Sequence, residues 1–207
     1  MLTAGAELGR ASAAMIMIHG RGATARDILT LAPELDQPGW AFLAPQAAGG
    51  TWYPYPFTAP IEQNEPWLSS ALAVVGEVMA RIARGGIPPE RTVLLGFSQG
   101  ACLTLEYAAR NARRFGGVAG LSGGLIGPDG AERDDRGSLD GTPVFLGCSD
   151  QDPHIPAERV RHAARTLESL SAEVTTVLYP NLGHSVNGDE IEHVRRIMSR
   201  VGAPRAA

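Results

Sequence analysis

Residues 93–101 read VLLGFSQGA, an apolar run that ends in a Gly-x-Ser-x-Gly pentad centred on Ser98. The same spelling recurs as GLSGG at residues 120–124, centred on Ser122. Context separates the two. Ser98 follows the strand-like TVLLGF and precedes QGACLTLEYAARNA, a run of strong helix formers, so a sharp strand-to-helix turn is expected there. Such a turn holds a hydroxyl exposed at the end of a sheet, and glycines flank it because side chains would collide with neighbouring elements. Ser122 also ends an apolar run, but GGLIGPDGAERDDRG follows, with Pro128 and clustered charges where a helix would have to begin. Ser98 is therefore the candidate nucleophile, and Ser122 is a coincidence of spelling.

Outward from this turn, short apolar runs alternate with longer helical patterns. Residues 13–19, 40–45, 92–97, 116–122, 142–148 and 172–180 read as strands, and their near-continuous hydrophobicity suggests burial on both faces, as in a parallel sheet. Helices are expected at about 24–35, 63–84, 99–113, 156–171 and 187–200, each amphipathic or bounded by Pro, Gly, Ser or Asn. The alternation is that of an α/β fold, a mostly parallel sheet with helices on both faces, in one domain over residues 1–207. Ligands in such folds sit beyond the carboxyl ends of the strands. That rule singles out His19-Gly20-Arg21, Ser98-Gln99, the SDQDPH of 149–154 and the NLGHS of 181–185.

Composition removes several chemistries. The 207 residues, 44% of them hydrophobic, suffice for one sizeable core. A net charge of −4 without any basic run argues against nucleic acid or an anionic membrane as partner, and no segment approaches a membrane span. All 18 basic residues are Arg, so lysine Schiff bases, Walker-type phosphate loops and Ser-Lys dyads are excluded. Cys102 and Cys148 lack metal or redox spacing and read as buried thiols in a reducing, cytoplasmic setting. The apolar AAMIMI near the N-terminus reads as a strand rather than a signal peptide.

A serine hydroxyl needs a base to take its proton, and the base needs a carboxylate to fix its tautomer. The expected chain order is Ser, Asp or Glu, then His, each after a strand. Asp152 follows the strand TPVFLGC and His184 follows AEVTTVLYP, so both land where the geometry requires. Asp150 reads as a loop-shaping residue that holds backbone amides, because Pro153 places Asp152 at the loop tip. His162 and His193 read as solvated helix positions, His19 as a shaper of its turn, and His154 as too close to Asp152 to be its partner. Asp150, Asp152 and His154 match no metal-site spacing, so neither metal nor cofactor is expected. The amides of Gln99 and Arg21 are the expected oxyanion donors, with Gly20 and Gly22 permitting close approach; the Arg21 side chain faces solvent or a substrate carboxylate. The loop AAGGTWYPYPFTAPIEQNEP and the residue after it carry Trp52, Tyr53, Tyr55, Phe57 and Trp67, expected as walls of an acyl or aryl pocket, the alternative being that they pack this long loop against the sheet.

Taken in order, MIHGRGA, APQ, VLLGFSQGA, LSGG, SDQDPHIP and NLGHS resemble the phospholipase/carboxylesterase family of α/β-hydrolases, which includes acyl-protein thioesterases and small bacterial carboxylesterases. The resemblance implies Ser98, Asp152 and His184 as a triad, the amides of Arg21 and Gln99 as oxyanion donors, and an α/β-hydrolase fold without a separate cap domain. It implies hydrolysis of carboxylic esters, with thioesters or lysophospholipids as variants, and a small-molecule partner; a homodimer is compatible with it. Arg21 stands where the thioesterase branch often has Leu, and the aromatic loop departs from that branch too. The competing reading is a binding protein on a hydrolase scaffold, since fold does not fix function. Ser98→Ala is expected to lose about four or more orders of magnitude in turnover, while Ser122→Ala keeps most of it. Hydrolysis of an activated ester by the two folded variants checks this, and comparable losses would overturn the choice of serine.

Overall fold

The computed structural model describes residues 1–35 and 37–202. Among these, seven strands form one sheet: β1 (Leu2–Gly5), β2 (Ala13–Ile18), β3 (Trp40–Ala44), β4 (Thr92–Phe97), β5 (Gly117–Leu121), β6 (Pro143–Ser149) and β7 (Glu173–Tyr179). Their order is β1-β3-β2-β4-β5-β6-β7, and every pairing is parallel except that of β1 with β3. The helices are α1 (Ala25–Leu29), α2 (Ile61–Asn64), α3 (Trp67–Arg84), α4 (Gln99–Arg110), α5 (Ala157–Ser169) and α6 (Gly188–Gly202).

The continuous apolar runs follow from burial on two sides. In β2, Ala14, Ile16 and Ile18 face the layer of α3, α4 and α5, whereas Ala13, Met15 and Met17 face α1 and α6. Alternation of side chains along a strand thus feeds two cores at once. At the sheet edge β7 is exposed in part on both faces, with Thr175 and Thr176, on opposite sides of the strand, in solvent.

The six expected strands appear within a residue or two of their expected bounds, and the helices differ where proline intervenes. The helix expected at 24–35 is only Ala25–Leu29 plus a 3₁₀ turn at Pro33–Leu35, because Pro33 lacks an amide donor and disfavours helical geometry before it. A capping box between Thr24 and Asp27 starts α1. The helix expected at 63–84 is split into α2 and α3, since Glu65, preceding Pro66, is extended (φ −82°, ψ 147°). β1 was not expected. Its residues are mostly exposed and carry no periodic signal; only pairing with β3 defines it.

The excursion between β5 and β6 is tied to α4 by a buried charge. Glu106 has a fully buried side chain and accepts from Arg110 Nε at 2.6 Å, Arg133 at 3.1 Å and the Ile126 amide at 3.0 Å. A buried ion pair contributes little over an apolar equivalent, but removing one partner strands the others. Glu106→Ala is expected to cost about 3–5 kcal/mol of stability, read as a lowered denaturant midpoint. Glu106→Gln, which keeps an acceptor for Ile126, should cost less.

Candidate active site

Ser98 sits between β4 and α4 at φ 56°, ψ −122°, a backbone conformation that L side chains rarely adopt. Two features hold it there. The Ser98 amide donates to Leu121 O at 2.9 Å. The helix start is pressed against the neighbouring strand, so that a Cβ on Gly100 would lie 2.1 Å from Ile18 O, and one on Gly96 would lie 2.2 Å from Gly100 O. Only glycine fits either position. Positive φ alone does not distinguish the two serines, because Ser122 has φ 54° as well. Surroundings do. Ser122 is fully buried and its hydroxyl has no hydrogen-bond partner among the described residues, whereas Ser98 Oγ lies 2.9 Å from His184 Nε2.

His184, in the loop after β7, also places Nδ1 2.8 Å from Asp152 Oδ2. The other Asp152 oxygen accepts from the amides of His154 (2.8 Å) and Ile155 (3.0 Å). Burial pushes the Asp152 carboxyl up, but the hydrogen bonds from His184 and these two amides outweigh it, leaving it below the usual carboxylate range. An ionised Asp152 only accepts, so Nδ1 carries the ring proton and Nε2 is free to accept from the Ser98 hydroxyl. Asp150 shapes the loop as expected, its Oδ1 accepting from the Asn181 amide at 2.9 Å. Ser149 Oγ accepts from the Gly183 amide at 3.2 Å, a second tie between the acid and histidine loops.

The remaining histidines divide by what they touch. His19 is buried; the Ala47 amide donates to its Nε2 (3.2 Å), so Nδ1 donates to Gly20 O (2.8 Å) and the ring fixes its own turn. The ring of His154 stands edge-on to His184, centroids 4.8 Å apart, and its amide rather than its ring meets Asp152. His162 is partly buried on α5. His193 is packed rather than solvated: it stacks on Phe145 at 4.3 Å, because α6 lies over β6 at that point.

A cavity of about 380 Å³ opens beside Ser98, lined by Arg21, Tyr53, Pro56, Phe57, Gln99, Cys102, His154, Ile155 and His184. The expected aromatic walls narrow to Tyr53 and Phe57. Trp52 turns away and is buried, donating its indole N–H to His19 O at 2.8 Å. Together with Trp67 it lines a different cavity, of about 430 Å³, whereas Tyr55 is half exposed. Arg21 is exposed, in keeping with the solvent-facing expectation, and its guanidinium also donates to the carbonyls of Tyr53, Pro54 and Tyr55. Among the described residues the backbone amides of Arg21 and Gln99 meet no acceptor. Sequence reasoning missed Asn64 and Arg159. Asn64 is buried and bonds Tyr55 N and Pro56 O, and Arg159 lies over the Phe57 ring at 5.2 Å while holding the carbonyls of Leu125 and Gly127. An Asn between a proline-rich loop and a helix, and an Arg in an apolar helix face, were the available signals.

A parallel sheet with a strand, serine, helix turn, and acid and histidine following later strands, defines the α/β-hydrolase class. This chain belongs to its phospholipase/carboxylesterase family, which matches residues 6–201. The crystal structure of a phospholipase/carboxylesterase from Dyadobacter fermentans is 47% identical, covers 96% of this chain and 95% of its own, and superposes with a TM-score of 0.92. Among curated relatives, acyl-protein thioesterase 1 of Gibberella zeae is 33% identical over 129 residues, 58% of this chain and 52% of that protein. Acyl-protein thioesterase 1 of Aspergillus fumigatus is 31% identical over 145 residues, 69% of this chain and 60% of that protein. The chain thus spans about half to three fifths of the length of these curated relatives. Among the described residues no helix is long and apolar enough to cross a membrane, and no group of three His, Cys, Asp or Glu side chains is placed to hold a metal ion.

Below the histidine loop, Glu190 is buried, with Oε2 accepting from the Asn187 amide at 2.8 Å. Burial pushes its carboxyl up to about 7, opposed by the Asn187 amide and assisted by Asp189. The folded chain therefore holds this proton more tightly than the unfolded one, and stability falls as pH rises from about 4.5 to about 7. Asp152, with its depressed value, acts oppositely: its contribution is present above the ordinary carboxylate range and is lost only in stronger acid. Glu190→Gln removes the first effect alone. Its denaturant midpoint relative to wild type is expected to rise between pH 5 and pH 8, and a constant difference would refute the assignment.

Proposed function

We propose that this chain hydrolyses carboxylic esters, thioesters included, through an acyl-enzyme on Ser98, as one catalytic domain without metal or cofactor. The observation that carries the reading is the unbroken chain of hydrogen bonds from Asp152 through His184 to Ser98, at 2.8 and 2.9 Å. His184 takes the hydroxyl proton as Ser98 attacks the carbonyl, and Asp152 stabilises the imidazolium that forms. The amides of Arg21 and Gln99 receive the oxyanion; His184 then protonates the leaving group and activates the water that frees the acyl chain. The names of the thioesterase relatives and of the Dyadobacter structure support an ester or thioester substrate. The cavity beside Ser98, about 380 Å³ with Tyr53, Phe57 and Ile155 in its lining, supports acyl or aryl groups of small to medium size.

Phe57 is the wall that a growing acyl chain would meet, so Phe57→Ala should lower the specificity constant increasingly from acetyl to butyryl to octanoyl esters of one leaving group. The loss is expected to reach about 1–3 kcal/mol at about 25 cal/mol per Å² of apolar contact removed. Equal losses across the panel would sink the pocket assignment. Failure of a fluorophosphonate to label wild type but not Ser98→Ala would favour the binding-protein reading instead.

A further inference from the structure

We infer that the loop at residues 50–55 is a brace that sets the spacing between the two amides assigned to the oxyanion, and that the side chains of Arg21 and Gln99 are positioning residues acting through it. The inference rests on the reading of Ser98 as nucleophile given above. The two amides belong to different elements, one in the turn after β2 and one at the start of α4. The first of these turns runs through Gly20, Arg21 and Gly22, with Gly22 at φ 75°, so its own backbone restrains it weakly.

Restraint comes from the loop. Arg21 Nη1 donates to Pro54 O at 2.9 Å, and Nη2 to Tyr53 O at 2.9 Å and Tyr55 O at 3.0 Å. The Gly22 amide donates to Gly50 O at 2.8 Å, and the Trp52 indole to His19 O at 2.8 Å. From the other side, the buried Gln99 carboxamide accepts from the Trp52 amide at 3.0 Å and donates to Tyr53 O at 2.8 Å. One atom, the Tyr53 carbonyl oxygen, therefore receives both side chains and joins the two halves of the hole. A planar guanidinium spanning three carbonyls and a carboxamide used at both ends are rigid ties. Oxyanion donors work only within about 2.7–3.1 Å of the developing charge, and a misplacement of about 1 Å can cost about 100-fold.

The test uses Arg21→Met, Gln99→Met and the double variant, assayed on an acetyl ester too small to reach the Phe57 wall. Each single variant is expected to lower kcat about 10- to 100-fold with KM changed less than about twofold. Inhibition by a methyl trifluoromethyl ketone, whose hemiketal oxyanion needs the same amides, should weaken in parallel. The double variant should lose far less than the product of the singles, because both release the same carbonyl. Arg21→Lys, which keeps the cation but cannot span three carbonyls, should recover part of kcat, and it decides by the same criteria if a Met variant does not fold. Unchanged kcat, a loss confined to KM on larger acyl groups, or fully multiplicative losses would overturn the brace. Those outcomes leave Ser98 untouched, whereas an ester hydrolysed equally by Ser98→Ala removes the underlying reading instead.

Discussion

Everything at the candidate site depends on how closely the start of α4 approaches the end of β2. With 2.1 Å between a notional Cβ at Gly100 and Ile18 O, there is room for backbone and nothing more. That closeness forces Ser98 into its positive-φ turn, brings the Gln99 side chain within reach of the loop after β3, and leaves the first amides of α4 pointing past the sheet. Strain of about 1–3 kcal/mol at one residue is sustained because the sheet, the Leu121 carbonyl and the helix all over-determine it.

The parallel sheet was legible because β2, β4, β5 and β6 are buried on both faces and therefore hydrophobic throughout. Ser98, Asp152 and His184 were legible for a related reason: a residue just past the carboxyl end of such a strand has only one end of the molecule to occupy. β1 and β7, at the two edges of the sheet, carry no such signature, since residues on both faces of each reach water. The proline breaks at Pro33 and Pro66 were written in the sequence, yet the amphipathic pattern across them is continuous enough to conceal them. Side-chain roles in the aromatic loop were the least legible part. Whether Trp52 faces a substrate or the His19 carbonyl depends on which polar groups the loop meets, and Arg21, Asn64 and Gln99 come from three separate elements.

Polar groups do much of the organising outside the sheet. Glu106 gathers two arginines and an amide beneath the excursion that follows β5, and Arg159 holds two carbonyls of that excursion while covering Phe57. Long connections without regular structure have unpaired backbone groups to satisfy, and here a few buried side chains satisfy several at once. The cavity wall at Phe57 thereby inherits its position from the same contacts that order the β5–β6 excursion.

The buried thiols have a consequence at the alkaline end of the pH scale. Every basic side chain is Arg, so the positive charge of the folded chain does not decay where lysines elsewhere would lose their protons. What titrates instead are chiefly acids held inside: burial pushes Cys102 up to about 11 and Cys148 up to about 12 and raises Tyr53 and Tyr107, while partial burial and the neighbouring Asp189 raise Tyr179. Each binds its proton more tightly folded than unfolded, so each withdraws stability as pH climbs from its ordinary value toward its raised one. Rising alkalinity thus bears on this fold through the protons held by its buried thiols and phenols.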